Sequence, residues 1–570
     1  MKLNNVVIHN FRGIIDQTIT FENYALLVGA NNSGKSTVID AIRSFYEKDG
    51  FKYKEENDFP FSKNTDNESW VELHLNLTED ENNSIADEYK ITAKALRVRK
   101  YFKTTSKLRD GKTAVGSILG YNKEGVISDN PFYGAKNVQS GKFGDLIYIP
   151  AVSKVDEFTK LSGPSALRDL ITNIMANVVE KSEVYQNLTQ SVQLFAEGVK
   201  TIENEDKRSL SNFESDLNAM LSSWQTKFKL KFSSPSTSEI IKSMLGWEIK
   251  DDYHDRSQNI EYFGSGFQRH FIYSLIQLGA KYIPNKSPKK AKDFAPSFNL
   301  ILFEEPEAFL HPSQQEELAN NLITLGETQD WQVISSTHSS HFVSQNAGNI
   351  PSIIHMSRTE GIVHSFQIKK EDWKKIIDSN QIMGLTDGKY PNLKKKMQVD
   401  DMKPEMEAIK YFLWLNPDRA SMFFSSAVLL VEGPSETALI HKLTNEGKLK
   451  LPVGTHVLDC LGKYNIHRFM NLLGIMGILH SVIYDDDHNY NEHEELARLI
   501  VEAKNPYTVE IKAIPDKLET LLSIPPNVRP DRKPQHVLFC HASGVIKPEK
   551  IGEFCELVNS CFPPKKAEKK

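Results

Sequence analysis

Three clusters of residues have the types and spacing for phosphate and metal chemistry. The first is Gly29–Ser36, GANNSGKS, which fits GxxxxGK[ST]. It follows the apolar run Ala25, Leu26, Leu27, Val28 and precedes a helical pattern from about Lys35 to Phe45, so it reads as a strand, a glycine loop and a helix start. Backbone N–H groups there, those of Asn32, Gly34, Lys35, Ser36 and Thr37 among them, can surround phosphate oxygens. Lys35 can reach β- and γ-phosphates and Ser36 can hold Mg²⁺, which makes ATP the expected cofactor.

The second cluster ends an apolar strand in carboxylates, ILFEEPEAFLHP at 301–312. Glu304 is expected near the metal, commonly through water, and Glu305 is expected to orient or deprotonate the attacking water. His338, in SSTHSS after the next strand pattern, is placed to sense the γ-phosphate.

The third cluster is also acidic. VLLVEGPSE puts Glu432 on the turn after an apolar strand and Glu436 one helical turn later on the same side. HSVIYDDDHN then ends another apolar strand in Asp485, Asp486 and Asp487. In an extended segment alternate side chains share a face, so Asp485 and Asp487 are expected to converge while Asp486 points away. Like charges within ~4 Å repel by up to roughly 4 kcal/mol at an intermediate dielectric, and a divalent cation is the natural compensation. Ligands that are all oxygen favour Mg²⁺ or Mn²⁺ over Zn²⁺.

The elements that must position these clusters are mixed α/β. Strand patterns occur at 3–8, 25–29, 71–77, 145–151, 299–303 and 331–339, where the first sheet is expected to close. From about Ser165 to Phe228 the apolar spacing turns helical: Leu167, Ile171, Ile174 and Val178, then Leu188, Val192, Phe195 and Val199. That stripe reads either as a core-facing side or as a helical dimer contact. It is far too short for a long coiled-coil arm. KSPKKAKD at 286–293 is a charged loop, and PNLKKKMQVDDMKPE at 391–405 reads as a linker before the fresh strand at 425–436. The expected division is ATPase at 1–160 and 236–390, helical insertion at 161–235, linker at 391–424, a second α/β domain at 425–562 and a disordered tail at 563–570.

Composition fits this multidomain picture. A chain of 570 residues suggests roughly two to four domains. A net charge of −5 gives no global footprint for nucleic acid, so DNA would need a local basic patch. Cys460, Cys540, Cys555 and Cys561 form no CxxC pair, which argues against a disulfide framework or thiolate zinc site. The opening MKLNNVVIHNFRG has no apolar core of signal-peptide length and no later run reaches the ~18 apolar residues of a membrane span, so the expected location is cytoplasmic, with no membrane partner.

The first two clusters resemble the ABC-type ATPases of the SMC, Rad50 and RecF group. By that resemblance Arg12 in NFRG approaches the nucleotide, and EYFGSGFQR at 261–269 is a divergent signature motif. Its Ser265 and Gly266 would contact the γ-phosphate bound by an opposite ATPase head, which implies a homodimer. Glu304 stands where that group more often has Asp, and EEPE matches the form common in OLD proteins.

The third cluster resembles the Toprim domain of topoisomerases, primases and OLD nucleases. The OLD resemblance covers nearly the whole chain, since WLNPDRASMFFSSAVLLVEGPSE at 414–436 also looks like that family's lead into Toprim. It further implies Glu519 as a helper of a second metal and Lys547 as a cation for the scissile phosphate. The expected function is therefore ATP-regulated hydrolysis of DNA by two metal ions, one activating water and the other stabilising the leaving oxygen. Defence against bacteriophage is the implied role, with a companion defence protein or nucleic acid encoded nearby and with dimer or homotetramer left open. The alternative is a DNA-binding or damage-sensing ATPase whose Toprim domain is a scaffold. A topoisomerase or primase is set aside, because neither joins its Toprim to this ATPase.

Overall fold

The computed structural model describes the chain apart from residues 62–63, 65, 92–93, 134–141, 152–158, 160–166, 168–170, 172–181, 203–207, 231–235, 237–238, 240–245, 252–255, 283–293, 295, 297, 386–387, 397–403, 488–490, 526–528 and 564–570. The charged loop 286–293, Ile174, Val178 and nearly all of the tail lie outside the described residues. The chain forms two compact units, Met1–Ala151 with Pro288–Lys570, and Val152–Ser287.

The first unit begins with β1 (Lys2–Phe11), β2 (Ile14–Thr20), β3 (Tyr24–Val28), β4 (Ser69–Asn76), β5 (Ala95–Lys103), β6 (Ile118–Tyr121), β7 (Ile127–Pro131) and β8 (Asp145–Ile149). Six of these form one antiparallel sheet in the order β2-β1-β4-β5-β6-β7. Alternation in β4 buries Val71, Leu73 and Leu75 on the side that joins the core of this region. β3 is different. All five of its residues are buried, as suits the interior of a parallel sheet covered on both faces.

The unit Val152–Ser287 holds the helices Glu183–Thr201 and Leu210–Leu221, capped by the Ser182 and Ser209 hydroxyls. It also holds a short ribbon of β9 (Ile249–Asp251) and β10 (Arg256–Gln258), and the helix Ser265–Tyr282. Within this unit Leu188 and Phe195 of the helix Glu183–Thr201 are exposed, whereas Val192 and Val199 are half-buried.

The sheet around β3 is completed by β11 (Asn299–Glu304), β12 (Trp331–Ser336), β13 (Ile353–Thr359) and β14 (Ile362–Gln367). Its order is β14-β13-β3-β12-β11-β8, parallel from β13 to β8, with β14 antiparallel at the edge. The sheet therefore does not close at 331–339. The hairpin of β13 and β14 adds to it on the far side of β3, because Ile353 to Met356 form a fully buried run able to pair with that strand.

The C-terminal part is a four-stranded parallel sheet of β15 (Ala427–Val431), β16 (Thr455–Asp459), β17 (His480–Asp485) and β18 (Thr508–Ile514), in the order β16-β15-β17-β18. After β15 the chain crosses to one side, then returns to the other to make β17. This is a topological switch point, where open α/β sheets gather ligand-binding residues at the carboxyl ends of their strands. Among the described residues of 391–424, where a linker is expected, helices cover Pro391–Lys396, Pro404–Trp414 and Pro417–Ala420. Tyr390 and Leu393 pack with Leu496 and Leu499, and the Tyr411 hydroxyl donates to the Arg468 carbonyl at 3.0 Å. Charge in the sequence masked this apolar spacing. Among the described residues no helix is long and apolar enough to cross a membrane, and all four cysteines are buried free thiols.

Candidate active site

At the first site the carboxyl end of β3 runs into the glycine loop, and α1 (Lys35–Tyr46) starts at Lys35. Gly29 has φ 139°, and a Cβ there would stand 2.2 Å from the Met356 carbonyl, so only glycine allows β13 to lie this close. Gly34 has φ 103° and the same need, facing Val363 at 2.5 Å. Lys35 is buried, and its ammonium donates to the Gly29 and Ala30 carbonyls at 2.8 and 3.0 Å. Burial pushes it down to about 8, with Glu305 and Glu307 opposing the shift. Asn32 and Ser36 are exposed and Thr37 half-exposed, at the mouth of the loop.

The acidic strand end faces this loop. Glu305 takes a left-handed φ of 45°, held by its N–H on the Ser336 carbonyl at 2.8 Å, a backbone strain that places its side chain past the strand end. His338 Nε2 stands 3.8 Å from Glu305 Oε1, and burial together with Lys35 lowers the His338 pKa. Glu304 accepts the Tyr148 hydroxyl at 2.7 Å. Glu307 was not singled out from the sequence. It is buried and accepts the His338 N–H at 2.6 Å, which fixes the turn carrying the histidine. The repeated acid in EEPE was the signal for it. Arg12, also with a positive φ, is engaged by Asp40 at 2.7 Å and Asp58 at 2.8 Å.

At the second site Glu432 follows β15 and Asp485 ends β17, and these two strands pair directly in parallel. The Asp485 N–H donates to Glu432 Oε2 at 3.3 Å. Burial is the largest cause pushing Glu432, Glu436 and Asp485 up; the charge of Asp487 adds to the rise at Glu432, that of Glu432 to the rise at Glu436, and those of Glu436 and Glu432 to the rise at Asp485. Glu519 is near enough to contribute to the rise at Glu436. The chain leaves the strand geometry after Asp485: Asp487 has φ 46° and its N–H donates to the Asp516 carbonyl at 3.0 Å. Strand alternation therefore does not bring Asp487 to the site. A left-handed turn does, and Asp487 still raises both Glu432 and Asp485.

A family model described as AAA ATPase domain matches residues 1–113 and 79–343, and one described as overcoming lysogenization defect protein-like, TOPRIM domain, matches 423–487. The chain belongs to the AAA ATPase domain family and joins that ATPase to an OLD-like TOPRIM domain. The Old nuclease of Escherichia phage P2 is 25% identical over 532 residues, covering 90% of this chain and 82% of its own. Endonuclease GajA of Bacillus cereus (strain VD045) is 24% identical over 507 residues, covering 85% and 75%. A solved SMC head bound to the C-winged helix domain of ScpA matches at 14% identity, 65% of this chain and 99% of that one, with a TM-score of 0.36, too low to bear on the fold.

In the TOPRIM domain the donor set can be tested for a divalent cation. Asp485 Oδ1 is buried with no hydrogen-bond partner among the described residues, and crowded carboxylates surround it. Such an orphaned carboxyl oxygen fits an oxygen-loving cation, whose charge would displace the proton. Among the described residues no three His, Cys, Asp or Glu side chains stand as a closed cage. Several are turned to protein partners instead. Glu436 accepts the Gly433 N–H at 3.1 Å, Asp487 pairs with His493 at 3.0 Å and Lys517 at 3.7 Å, and Glu519 pairs with Lys533 at 3.5 Å.

Lys463 is a functional candidate that the sequence reading missed. It is buried, and its ammonium donates to the Asp485 carbonyl at 2.6 Å and the Asp486 carbonyl at 3.3 Å, while Gly462 N–H donates to the Glu432 carbonyl at 2.7 Å. One turn thus ties together the two acidic strand ends. A lysine in a polar turn gives no sequence signal for this. Lys547 is exposed at the N-cap of the helix Pro548–Ser560, and among the described residues no hydrogen bond or ion pair joins it to the carboxylates. In the AAA ATPase domain's other unit, Ser265 is exposed and Gly266 half-exposed at the first turn of the helix Ser265–Tyr282.

Proposed function

We propose that this protein is an ATP-regulated, divalent-metal-dependent DNA endonuclease of bacteriophage defence. The observation that carries the reading is the placement of Glu432 and Asp485 at the carboxyl ends of directly paired parallel strands, with Asp487 beside them. Relatives named as an Old nuclease and an endonuclease over most of the chain support it.

Divalent cations, Mg²⁺ or Mn²⁺, would supply water activation and leaving-group stabilisation. Glu432, Asp485 and Asp487 would hold them, with Glu436 and Glu519 behind, and Lys463 keeps the two strand ends in register. Lys547 is a candidate for the scissile phosphate. In the ATPase, Lys35 and the loop N–H groups bind phosphates, Ser36 and Glu304 serve the Mg²⁺, Glu305 is the base, and His338 senses the γ-phosphate. Ser265 and Gly266 have a catalytic use only across a pair of heads, so the working form is at least a dimer and stands in the cytoplasm. A companion defence protein or nucleic acid encoded nearby belongs to the same reading.

The test is incubation of supercoiled plasmid with Mg²⁺ or Mn²⁺, with and without ATP, for wild type and Asp485→Ala. Cleavage by wild type alone is expected. Equal cleavage by both would remove the TOPRIM site from the reading, and a wild type inert with both metals would favour a DNA-binding ATPase with a TOPRIM scaffold.

A further inference from the structure

Two lysines stand at the rim of the carboxylate cluster in a different way from Lys463. Lys517 Nζ lies 3.7 Å from Asp487 Oδ1, and Lys533 Nζ lies 3.5 Å from Glu519 Oε1. Both ammonium side chains are nearly half exposed, at 43% and 44%, whereas their carboxylates are almost covered, at 10% and 12%. The distances are those of loose ion pairs rather than short hydrogen bonds. Lys463, buried and fixed on two carbonyls, cannot swing away; Lys517 and Lys533, on long flexible stems reaching in from solvent, can.

We propose that Lys517 and Lys533 are exchangeable placeholders, which hold Asp487 and Glu519 until divalent cations take those carboxylates, and which then turn to the phosphates of the bound DNA strand. This rests on the nuclease reading above. A doubly charged cation competes with an ammonium for the same carboxylate oxygens, and the displaced ammonium is repelled by it. An anion at the rim is what then satisfies the displaced charge, and a DNA backbone supplies one at regular spacing. Lys517 precedes the short helix Leu518–Leu521, and Lys533 begins the helix Lys533–Ala542, so the two cations come from separate elements and flank the cluster. Once released from Asp487 and Glu519, they would add positive charge where a chain of net charge −5 has to receive nucleic acid.

The proposal predicts opposite signs for metal and DNA, which loss of fold would not produce. The full chain, Lys517→Ala, Lys533→Ala and the double variant are compared in two measurements. Mn²⁺ binding without DNA, followed by the electron paramagnetic resonance of free Mn²⁺, should tighten by about 2–5-fold for each lysine removed, since each deletes a competing ion pair of surface strength. Binding of a duplex oligonucleotide with Ca²⁺ should weaken, and the slope of log affinity against log salt should become shallower by about 0.9 for each lysine. Lys517→Arg and Lys533→Arg should keep the DNA slope. Unchanged or weaker Mn²⁺ binding in the alanine variants, or an unchanged salt slope, would overturn the exchange while leaving the nuclease reading in place. A wild type that binds neither Mn²⁺ nor DNA would overturn both.

Discussion

The nucleotide site and the carboxylate site both lie where parallel strands end, yet they handle charge in opposite ways. Around β3 one buried ammonium, Lys35, is held by two neutral carbonyls of its own loop, so the site carries a cation that waits for phosphate. Around β15 and β17 the carboxylates outnumber the cations, and burial raises three of them. A site built from backbone N–H groups and one lysine is preorganised for an anion. A site of crowded carboxylates is strained until a cation arrives, and its strength lies in side chains drawn from several distant elements.

The largest effect expected from this contrast is at the carboxylates. Glu432→Ala, Asp485→Ala or Asp487→Ala should each remove most plasmid cleavage while leaving ATP affinity unchanged, as read by gel assay beside a fluorescent-nucleotide titration. Parallel loss of ATP binding would mean that the two sites are one unit and not two. Next comes Glu305→Gln, which keeps size and removes the base: ATP should still bind and turn over much more slowly, and an unchanged hydrolysis rate would move the role elsewhere. Lys35→Ala should weaken ATP binding by roughly ten- to a hundredfold, because it removes charge-assisted hydrogen bonds worth about 1.5–3 kcal/mol.

The smallest effect concerns stability. Asp485 has a folded pKa above that of the unfolded chain, mainly through burial and through Glu436, Glu432 and Asp487. The folded state therefore holds its proton more tightly; the associated stability is complete below the unfolded pKa and is lost as pH rises toward the folded value. Asp485→Asn removes this loss. In the absence of divalent metal the variant should melt higher than wild type at pH 7, by about 2–4 °C, and no higher near pH 4. Equal melting at both values would show that the cluster carries no strain.

How much was readable beforehand follows the same division. The loop at Gly29–Ser36, β11 and β12, and the acids Glu432 and Asp485 stood out because a local pattern, a strand and then a turn, carries each of them. No local signal marks β13 and β14, since pairing of Ile353 to His355 with Leu26 to Val28 is a contact between segments far apart in the chain. Strand alternation points to Asp487, although a positive φ and a hydrogen bond to Asp516 set its place. No local pattern sets Lys463, Lys517 and Lys533 apart from other lysines of the sequence. Their meaning comes from carboxylates that only the folded sheet brings near.

The central claim is that one site reads ATP and the other cuts DNA. The most direct measurement is the rate of plasmid cleavage by wild type and Lys35→Ala across a range of ATP concentrations at fixed Mg²⁺ in excess of the nucleotide. The account predicts that ATP changes the wild-type rate and that Lys35→Ala needs roughly ten- to a hundredfold more ATP for the same change. A wild-type rate indifferent to ATP, or a Lys35→Ala rate that follows ATP as the wild type does, would contradict it.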